Sequence, residues 1–462
     1  MDAGASSSSS DERLGVDEAL AAGRVQRKTV ARRAHADWQP QPGRPDPVDL
    51  LCSQDADRLP QLVPIRYGRM LASPFAFLRG AAIVMAYDLA AGPCTGITVQ
   101  LCGDAHLLNF GLYLSPERTM LFDINDFDET LPGPFEWDLK RLGASLVLAG
   151  RERSFDADAC RLAALRAAHS YREWMRRFSR MGDLDVWYTK VSTDAIVARV
   201  AEIDRKVARR TRVGIDKARR RDSLQALAKL SERVDGRLRI REDPPLLVRL
   251  EVDDEEMETV RTLVSAYRRT LEDDRAYLLS GYRFVDAAHK VVGVGSVGTR
   301  CVIVLFAGRD EDDPLFLQLK QAGPSVLEAV LPRSIHRNAG HRVVAGQRLM
   351  QAASDIFLGW LHGPEGHDFC CRQLRDGKGS IDLDIVRPAD LVGYAELCGA
   401  TLARAHARSR CRAQIAGYLG KSDAFDEALA DFAVAYADQS ELDHQRLVDT
   451  VAAGKVRADT GV

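Results

Sequence analysis

The sequence predicts an α+β protein with two lobes, and three observations lead to this prediction. The chain has 462 residues, more than a single simple hydrophobic core usually supports. Apolar residues recur at helical spacing in residues 75–89, 137–149 and 388–407. Residues 286–320 instead alternate short apolar runs with glycine-rich turns, a pattern typical of strands.

Composition restricts the class of protein. Apolar residues make up 46% of the chain, charged residues make up 28%, and the net charge is −2, which is typical of a globular protein without a general attraction to nucleic acid or membrane. Nine cysteines without a C-x-x-C pair indicate reduced thiols. No apolar run approaches the length of a membrane helix. We therefore expect a cytoplasmic protein with no nucleic-acid or membrane partner.

Composition shifts along the chain predict six segments. These are a disordered or partly helical tail at 1–45, a lobe with two acidic loops at 46–180, a helical and basic insertion with a hairpin at 181–285, a glycine-rich β lobe at 286–380, C-terminal helices at 381–450, and a frayed end at 451–462. The basic stretch at 200–221 is interpreted as a solvated helix face, with an anion-binding patch as the alternative.

Two clusters of polar residues follow two apolar, strand-like runs. Asp104, His106 and Asn109 come after residues 97–101, and Asp126 and Asp128 come after residues 119–122. Carboxylates crowded this closely repel one another unless a cation or a proton intervenes. The clusters therefore predict a Mg²⁺–phosphate site, whereas the structural alternative is a pair of turns capped by Asp and Asn side chains.

The spacing of the first cluster suits phosphoryl transfer. An acid such as Asp104 orients or deprotonates the attacking hydroxyl group, and an amide oxygen such as that of Asn109 holds Mg²⁺. Asp126 and Asp128 supply the hard carboxylate ligands that Mg²⁺ prefers. We take Asp104 and His106 as the candidate catalytic residues, and the other three residues as candidate metal ligands.

A glycine-rich motif lies far downstream of these clusters. Gly293, Gly295 and Gly298 form a G-x-G-x-x-G between two strand-like runs, and Lys320 ends the next strand. Backbone N–H groups of such a loop can approach phosphates because no Cβ atom intervenes. The motif therefore predicts an ATP-binding loop, and Lys320 would neutralise phosphate charge.

A lysine in this role is usually held by an acid on a following helix. Glu328 is the nearest acid in the sequence that could pair with Lys320. Gln347 or Gln351, on the helix expected at 342–360, are the alternatives. We include Glu328 among the candidate cofactor-binding residues.

These motifs resemble those of a known superfamily. The G-D-x-H-x-x-N motif at 103–109 is similar to the catalytic loop of aminoglycoside and choline phosphotransferases, which are protein-kinase-like. The D-F-D motif at 126–128, with Asp138 in the following helix, resembles their metal-binding strand end. The resemblance implies Asp104 as the base, Asn109 and Asp126 as metal ligands, Asp138 as a structural anchor, and ATP and Mg²⁺ as cofactors. Cys102 stands where those enzymes usually carry a supporting histidine.

The order of the motifs differs from that superfamily. Its glycine loop and lysine precede the catalytic loop, whereas here they follow it. A circularly permuted, protein-kinase-like two-lobed fold with a helical insertion reconciles the two orders. The helix that normally runs toward the catalytic loop would then be the one ending at residues 402–407, or alternatively the one at 75–89.

The chain as a whole also resembles a bacterial family known only as domain of unknown function 2252. The resemblance covers most of residues 60–440 and rests on short sequence motifs at 73–80, 346–351 and 402–407, besides the two acidic clusters. It implies no established activity.

The motifs together predict an ATP- and Mg²⁺-dependent phosphotransferase that acts on a hydroxyl group of a small molecule. The short interval between Asp126 and Asp138 leaves little room for the ordered segment with which protein kinases present a peptide. The alternatives are a metal-dependent phosphoesterase and a catalytically silent nucleotide-binding protein.

Overall fold

The α+β class is confirmed by a computed structural model of the chain. It describes residues 14–203, 205–219, 223–251, 254–374 and 377–461, and it is 53% helix and 15% strand. In the described part of the chain no helix is long and apolar enough to cross a membrane.

The first and last parts of the chain form one helical core. Its helices are α1 (Val16–Thr29), α2 (Pro47–Ser53), α3 (Val63–Met70), α4 (Pro74–Gly80), α5 (Ala82–Ala90), α6 (Phe135–Glu152), α7 (Ala157–Phe178), α15 (Pro388–Ala407), α16 (Arg412–Leu419) and α17 (Ala424–Ala452). The prediction of helices at 137–149 and 388–407 is confirmed. Helix α6 is buried on all sides from Phe135 to Gly150 because α7, α17 and β1 (Thr98–Leu101) pack around it.

Two small antiparallel pairs of strands carry the acidic loops. Strand β1 pairs with β4 (Leu131–Pro134), and β2 (Phe110–Leu114) pairs with β3 (Met120–Ile124). The first acidic loop joins β1 to β2, and the second joins β3 to β4. Each loop is thus attached to α6, the most buried helix, through β1 or β4.

A six-stranded antiparallel sheet forms the β lobe. Its strands lie in the order β11 (Gly359–His362), β12 (Asp368–Gln373), β10 (Pro314–Ala322), β9 (Cys301–Ala307), β8 (Arg283–Lys290) and β7 (Leu247–Arg249). Helix α14 (Ala339–Met350) follows β10 and packs against β12 and β11. The glycine-rich residues 293–298 form the connection from β8 to β9.

The insertion covers the two faces of this sheet. It contains α8 (Asp183–Tyr188), α9 (Thr193–Ile203), α10 (Arg205–Arg219), α11 (Ser223–Leu230), the hairpin β5 (Ser231–Val234) and β6 (Arg237–Ile240), α12 (Asp254–Arg268) and α13 (Asp273–Ser280). Leu230 and Ile240 pack on one face of the sheet, and Tyr267 and Leu271 pack on the other. The predicted hairpin turn is confirmed. Arg220 and Arg221 of the basic stretch lie outside the described residues.

Two helix predictions were wrong in their extent. The helix expected at 75–89 is interrupted at Ala81, which separates α4 from α5. The helix expected at 342–360 ends at Met350, because the extended Gln351 donates a side-chain hydrogen bond to Ile124 and the next N–H group is bound by Asp123. Residues 359–362 then pair with β12 as a strand. In both cases tertiary contacts overrode helical periodicity.

Described segments near both ends of the chain pack onto the helical core. Gly23 of the expected tail lies so close to α16 that a Cβ atom there would be 1.9 Å from the carbonyl oxygen of Gln414. The C-terminal segment that was expected to fray contacts α3, because the N–H of Asp459 donates a hydrogen bond to the carbonyl of Pro64 at 2.9 Å. Residues 1–13 are outside the described part.

The packing of α15 on α7 predicts opposite effects at two glycines of the same helix. A Cβ atom at Gly399 would lie 2.1 Å from the carbonyl oxygen of Ala167, whereas one at Gly393 would meet nothing within 4 Å. We expect Gly399→Ala to lower the free energy of unfolding by about 1–3 kcal/mol through overpacking. Gly393→Ala should raise it by up to about 1 kcal/mol through helix propensity. Urea denaturation of both variants checks this, and equal effects would contradict the packing described.

Candidate functional site

The first acidic loop is anchored by a buried carboxylate on α6. Asp138 accepts hydrogen bonds from the N–H groups of Cys102 at 2.8 Å and Gly103 at 3.0 Å. Gly103 has φ +84°, and a Cβ atom there would clash with the carbonyl of Glu129, so only glycine fits this turn. Asp138 therefore anchors the backbone of the first acidic loop, as expected of it from the sequence.

A histidine supports this anchor from the far end of the chain. His406 of α15 lies with Nε2 3.1 Å from Asp138, and its Nδ1 is 2.9 Å from the hydroxyl of Tyr171. Cys102 is buried beside the same carboxylate. His406 therefore supports Asp138, and through Asp138 it supports the first acidic loop.

Asp104 lies at the centre of the loop. Its Oδ1 accepts a hydrogen bond from Nε of Arg141 at 2.8 Å, and the Arg141 guanidinium also donates to the carbonyl of Leu78. Nε2 of His106 is 3.8 Å from Asp104 Oδ2. The amide nitrogen of Asn109 donates to the backbone carbonyl of Asp104 at 2.6 Å. This bond fixes the Asn109 side chain, so its amide oxygen is the atom that could bind a metal.

The second acidic loop is joined to the β lobe by Lys320. The ammonium group of Lys320 is 3.1 Å from both carboxylate oxygens of Asp126 and 2.6 Å from Oδ2 of Asp128. Lys320 lies on β10, so this contact connects residues nearly two hundred positions apart in sequence.

Charges in this cluster shift one another's pKa values. Burial opposes ionisation of Asp126, yet Lys320 and then Arg372 outweigh it and hold the pKa of Asp126 below its usual value. Burial and the charge of Asp126 raise the pKa of Asp128. Burial would lower the pKa of Lys320, but the two carboxylates overcome it and raise that pKa. The cluster therefore carries a lysine that stays charged and a carboxylate that stays ionised.

The glycine-rich loop is docked on the helical core. The carbonyl of Gly293 accepts a hydrogen bond from Arg69 at 2.7 Å, and the carbonyl of Gly298 accepts one from the N–H of Leu59 at 2.8 Å. Gly293 and Gly298 have φ +67° and +90°, and a Cβ atom at Gly295 would lie 3.2 Å from a backbone oxygen of Arg79. Glycine is thus favoured at all three positions by the backbone path or by close approach.

Both acidic loops and the glycine-rich loop line one cavity of about 550 Å³. Its walls include seven of the predicted site residues, namely Asp104, His106, Asn109, Asp126, Asp128, Gly293 and Gly295. Across the described chain, the N–H groups of Val294, Gly295 and Ser296 have no hydrogen-bond acceptor. The cavity therefore has carboxylates on one part of its wall and backbone N–H donors on another.

Comparison with known sequences shows the family. The family model described as "Uncharacterized protein conserved in bacteria (DUF2252)" matches residues 58–450. The chain belongs to this family. No curated protein and no solved structure matches the chain. The match includes the two acidic loops, the glycine-rich loop, Lys320 and His406. Of the cavity wall, only residues 53–57 lie before the matched range.

Glu328 does not take the place expected for it beside Lys320. It belongs to a short capping turn, where its carboxylate accepts a hydrogen bond from the N–H of Ser325 at 3.2 Å and lies 3.9 Å from Arg342. Too few residues separate Glu328 from β10 for a helix to return it to Lys320. The carboxylates of Asp126 and Asp128 pair with the lysine instead.

The two glutamines considered as alternatives are occupied elsewhere. Gln347 donates to the side chain of Gln351, and Gln351 donates to the carbonyl of Ile124. The residue of α14 that contacts the site is Arg342, whose guanidinium donates to the carbonyls of Asp128 and Thr130 at 2.8 and 2.7 Å. Helix α14 thus holds the second acidic loop through the backbone carbonyls of that loop.

Several residues at the cavity were missed from sequence. Arg141 and Arg342 are ordinary members of amphipathic helices in the sequence, and Arg58 and Arg79 precede the recognisable motifs. Their side chains reach the cavity or its loops only through packing of α4, α6 and α14. Among these four arginines, only Arg79 lies in a motif noted in the sequence, the one at 73–80.

The cavity contains side-chain oxygen atoms of the kind that bind Mg²⁺. Over the residues that the structure describes, no three His, Cys, Asp or Glu side chains are grouped to hold a metal ion. Mg²⁺ needs no such group, because proteins usually bind it through one or two carboxylates and substrate phosphates. Asp126, Asp128 and the amide oxygen of Asn109 are hard oxygen ligands of this kind, so the residues present fit Mg²⁺ with a phosphate ligand.

The burial of His106 predicts a pH effect on stability. Burial lowers its pKa to about 4, with Asp104 opposing and Arg79 adding to the shift. The unfolded chain takes up this proton near pH 6.5, so folding loses stability as the pH falls from 6.5 to 4, by up to about 1.4 kcal/mol per pH unit. His106→Gln should flatten this slope in urea denaturation.

A matched control is Leu442→Gln, since the side chain of Leu442 is exposed and carries no titratable group. This variant should leave the wild-type slope in place. Burial also lowers the pKa of His35, to about 3. His35 therefore adds the same pH dependence of stability to the wild type and to both variants. If His106→Gln kept the full slope, the buried neutral state of His106 would be wrong.

Proposed function

We propose that the protein transfers the terminal phosphoryl group of ATP to a hydroxyl group of a small molecule. The observation that carries this proposal is the cavity shared by the two acidic loops and the glycine-rich loop, with Lys320 contacting Asp126 and Asp128. A base, metal ligands, a phosphate-binding loop and a lysine are the parts that kinase-type phosphoryl transfer requires.

The order of elements in the β lobe supports the proposal. Strand β8 leads through the glycine-rich loop into β9, then β10 carries Lys320, and helix α14 follows. Kinase-like enzymes place a glycine-rich loop over the phosphates and their lysine on the third strand. The β lobe would therefore bind the nucleotide, and the acidic loops would carry out the transfer.

The position of α15 supports a circular permutation. The hydroxyl of Ser409, just beyond α15, accepts a hydrogen bond from the N–H of Gln100 in β1 at 2.9 Å. A chain joined between these two points would run from α15 directly into the first acidic loop. That connection is the one the kinase-like order requires, so α15 is a better candidate for this helix than residues 75–89.

Lys320 would change partners when ATP binds. In the structure, its ammonium group lies between Asp126 and Asp128. A magnesium ion held by these two carboxylates and Asn109 would neutralise charge on the phosphates during transfer. Lys320 would then pair with phosphate oxygens, because a carboxylate that ligates the metal no longer needs the ammonium group.

Asp104 would act as the general base. Its carboxylate would accept the proton of the acceptor hydroxyl while the oxygen forms a bond to the terminal phosphorus, and ADP leaves as the bond to the bridging oxygen breaks. Arg141 holds Asp104 through Oδ1. The other carboxylate oxygen is therefore the one placed to receive the proton.

A small acceptor fits the size of the cavity. About 550 Å³ lies in the range of small-molecule sites. Only a short turn and β4 lie between Asp128 and α6, so this part of the chain offers no long segment for presenting a peptide. A reaction that consumes ATP, in a protein whose cysteines are free, would suit the cytoplasm.

Transfer of label from ATP tests the proposed function. The protein is incubated with Mg²⁺, ATP labelled in its terminal phosphoryl group and a bacterial small-molecule extract, and labelled products are separated. We expect transfer by the wild type and a loss of at least about 100-fold in Asp104→Asn, because the base is removed. Nucleotide binding by this variant should remain.

Asp438→Asn is the matched control, since Asp438 pairs with Arg151 on the surface and should leave transfer unchanged. Full transfer by Asp104→Asn would refute the base assignment. Nucleotide binding without transfer in any extract would instead identify a silent nucleotide-binding protein.

A further inference from the structure

Two arginines that line the cavity have no acidic partner. Among the described residues, neither Arg58 nor Arg79 forms an ion pair, and the Nε atom of each is buried without a hydrogen-bond acceptor. Arg58 donates to the carbonyl of Val297. The guanidinium of Arg79 only approaches the ring of Phe75, at 5.8 Å from its centroid.

Two other arginines in the interior are paired with carboxylates, since Arg141 binds Asp104 and Arg404 binds Asp123. Arg408 has no carboxylate partner either, but its guanidinium donates to several backbone carbonyls. A guanidinium removed from water without a partner is unfavourable. Burial, with the nearby charge of Arg66, lowers the pKa of Arg58 to about 9. Arg58 and Arg79 therefore differ from the two paired arginines in lacking an anion, and both line a cavity that could supply one.

The nucleotide has other partners for its phosphates. In the proposed function these are the N–H groups of residues 294–296, Lys320 and a magnesium ion. Arg58 and Arg79 come from a different part of the chain, the turn after α2 and the end of α4. A neutral hydroxyl compound would leave both guanidinium groups unpaired.

We infer that the acceptor carries a phosphate or carboxylate group that binds between Arg58 and Arg79. The inference rests on the proposed function, because it assigns the substrate of the same cavity. Planar guanidinium groups match both kinds of anion through paired N–H donors. The backbone of Arg79 touches Gly295, and the side chain of Arg58 touches Gly298, so the anion would lie beside the glycine-rich loop.

The anion site is tested with the full chain in the absence of nucleotide and metal. Calorimetric titrations use inorganic phosphate and, separately, acetate, so that the two kinds of anion are distinguished. We expect one of them to bind the wild type and to bind Arg79→Gln at least about tenfold more weakly. Arg79→Lys keeps the charge but loses the paired N–H donors of the guanidinium group, so its anion affinity should fall by less.

Two controls locate the bound anion. Arg151→Gln, at a surface ion pair, should bind as the wild type does. Lys320→Met removes the cation expected to contact nucleotide phosphates and should also retain anion binding. Loss of binding in Lys320→Met but not in Arg79→Gln would overturn the inference, as would the absence of binding of either anion to a wild type with an unchanged melting temperature.

Titration with Mg²⁺ and ADP separates this inference from the proposed function. Arg79→Gln should bind Mg·ADP as tightly as the wild type. An equal loss of phosphate and Mg·ADP binding would assign Arg79 to the nucleotide and overturn the inference. If the wild type bound phosphate through Arg79 but failed to bind Mg·ADP, the proposed function would fail while the anion site would stand.

Discussion

The ammonium group of Lys320 connects the β lobe to the second acidic loop, and the arrangement of the cavity depends on it. Asp126 and Asp128 lie close enough to repel each other, and both are partly removed from water. A cation between them offsets this repulsion, and Lys320 supplies that cation in the structure. In the proposed function, a divalent ion bound together with phosphates would take over this part.

The rigid part of the site is built on α6 and α15. Asp138 holds the first acidic loop by two backbone N–H groups, and His406 holds Asp138. These contacts join residues in the first third of the chain to a residue close to its end, so the core cannot be divided at the segment boundaries seen in sequence. The packing of Gly399 against α7 keeps α15 close enough for His406 to reach. Stability and site geometry are thus coupled through one helix.

Local features of the site could be predicted from sequence, whereas its long-range pairs could not. The residues following strands, such as Asp104 and Asp126, were found because carboxylates and amides at strand ends form a recognisable pattern. Lys320 was found by its place after the glycine motif. The partners of Lys320 depend on how two lobes meet, so the choice of Glu328 was wrong. Arg79 and His406 lie in the motifs at 73–80 and 402–407, but neither motif indicates a role for them. Arg58 lies in no motif, and the roles of all three residues arise from tertiary packing.

In the proposed function, Asp126, with Lys320 beside it, forms a metal-dependent nucleotide site. Calorimetric titration with a non-hydrolysable ATP analogue, with and without Mg²⁺, measures binding to this site. We expect binding to the wild type that requires Mg²⁺ and is at least about tenfold weaker in Asp126→Ala, because that variant loses a charged ligand. Binding of equal strength in Asp126→Ala, or no binding by a folded wild type at millimolar concentrations of the analogue, would contradict it.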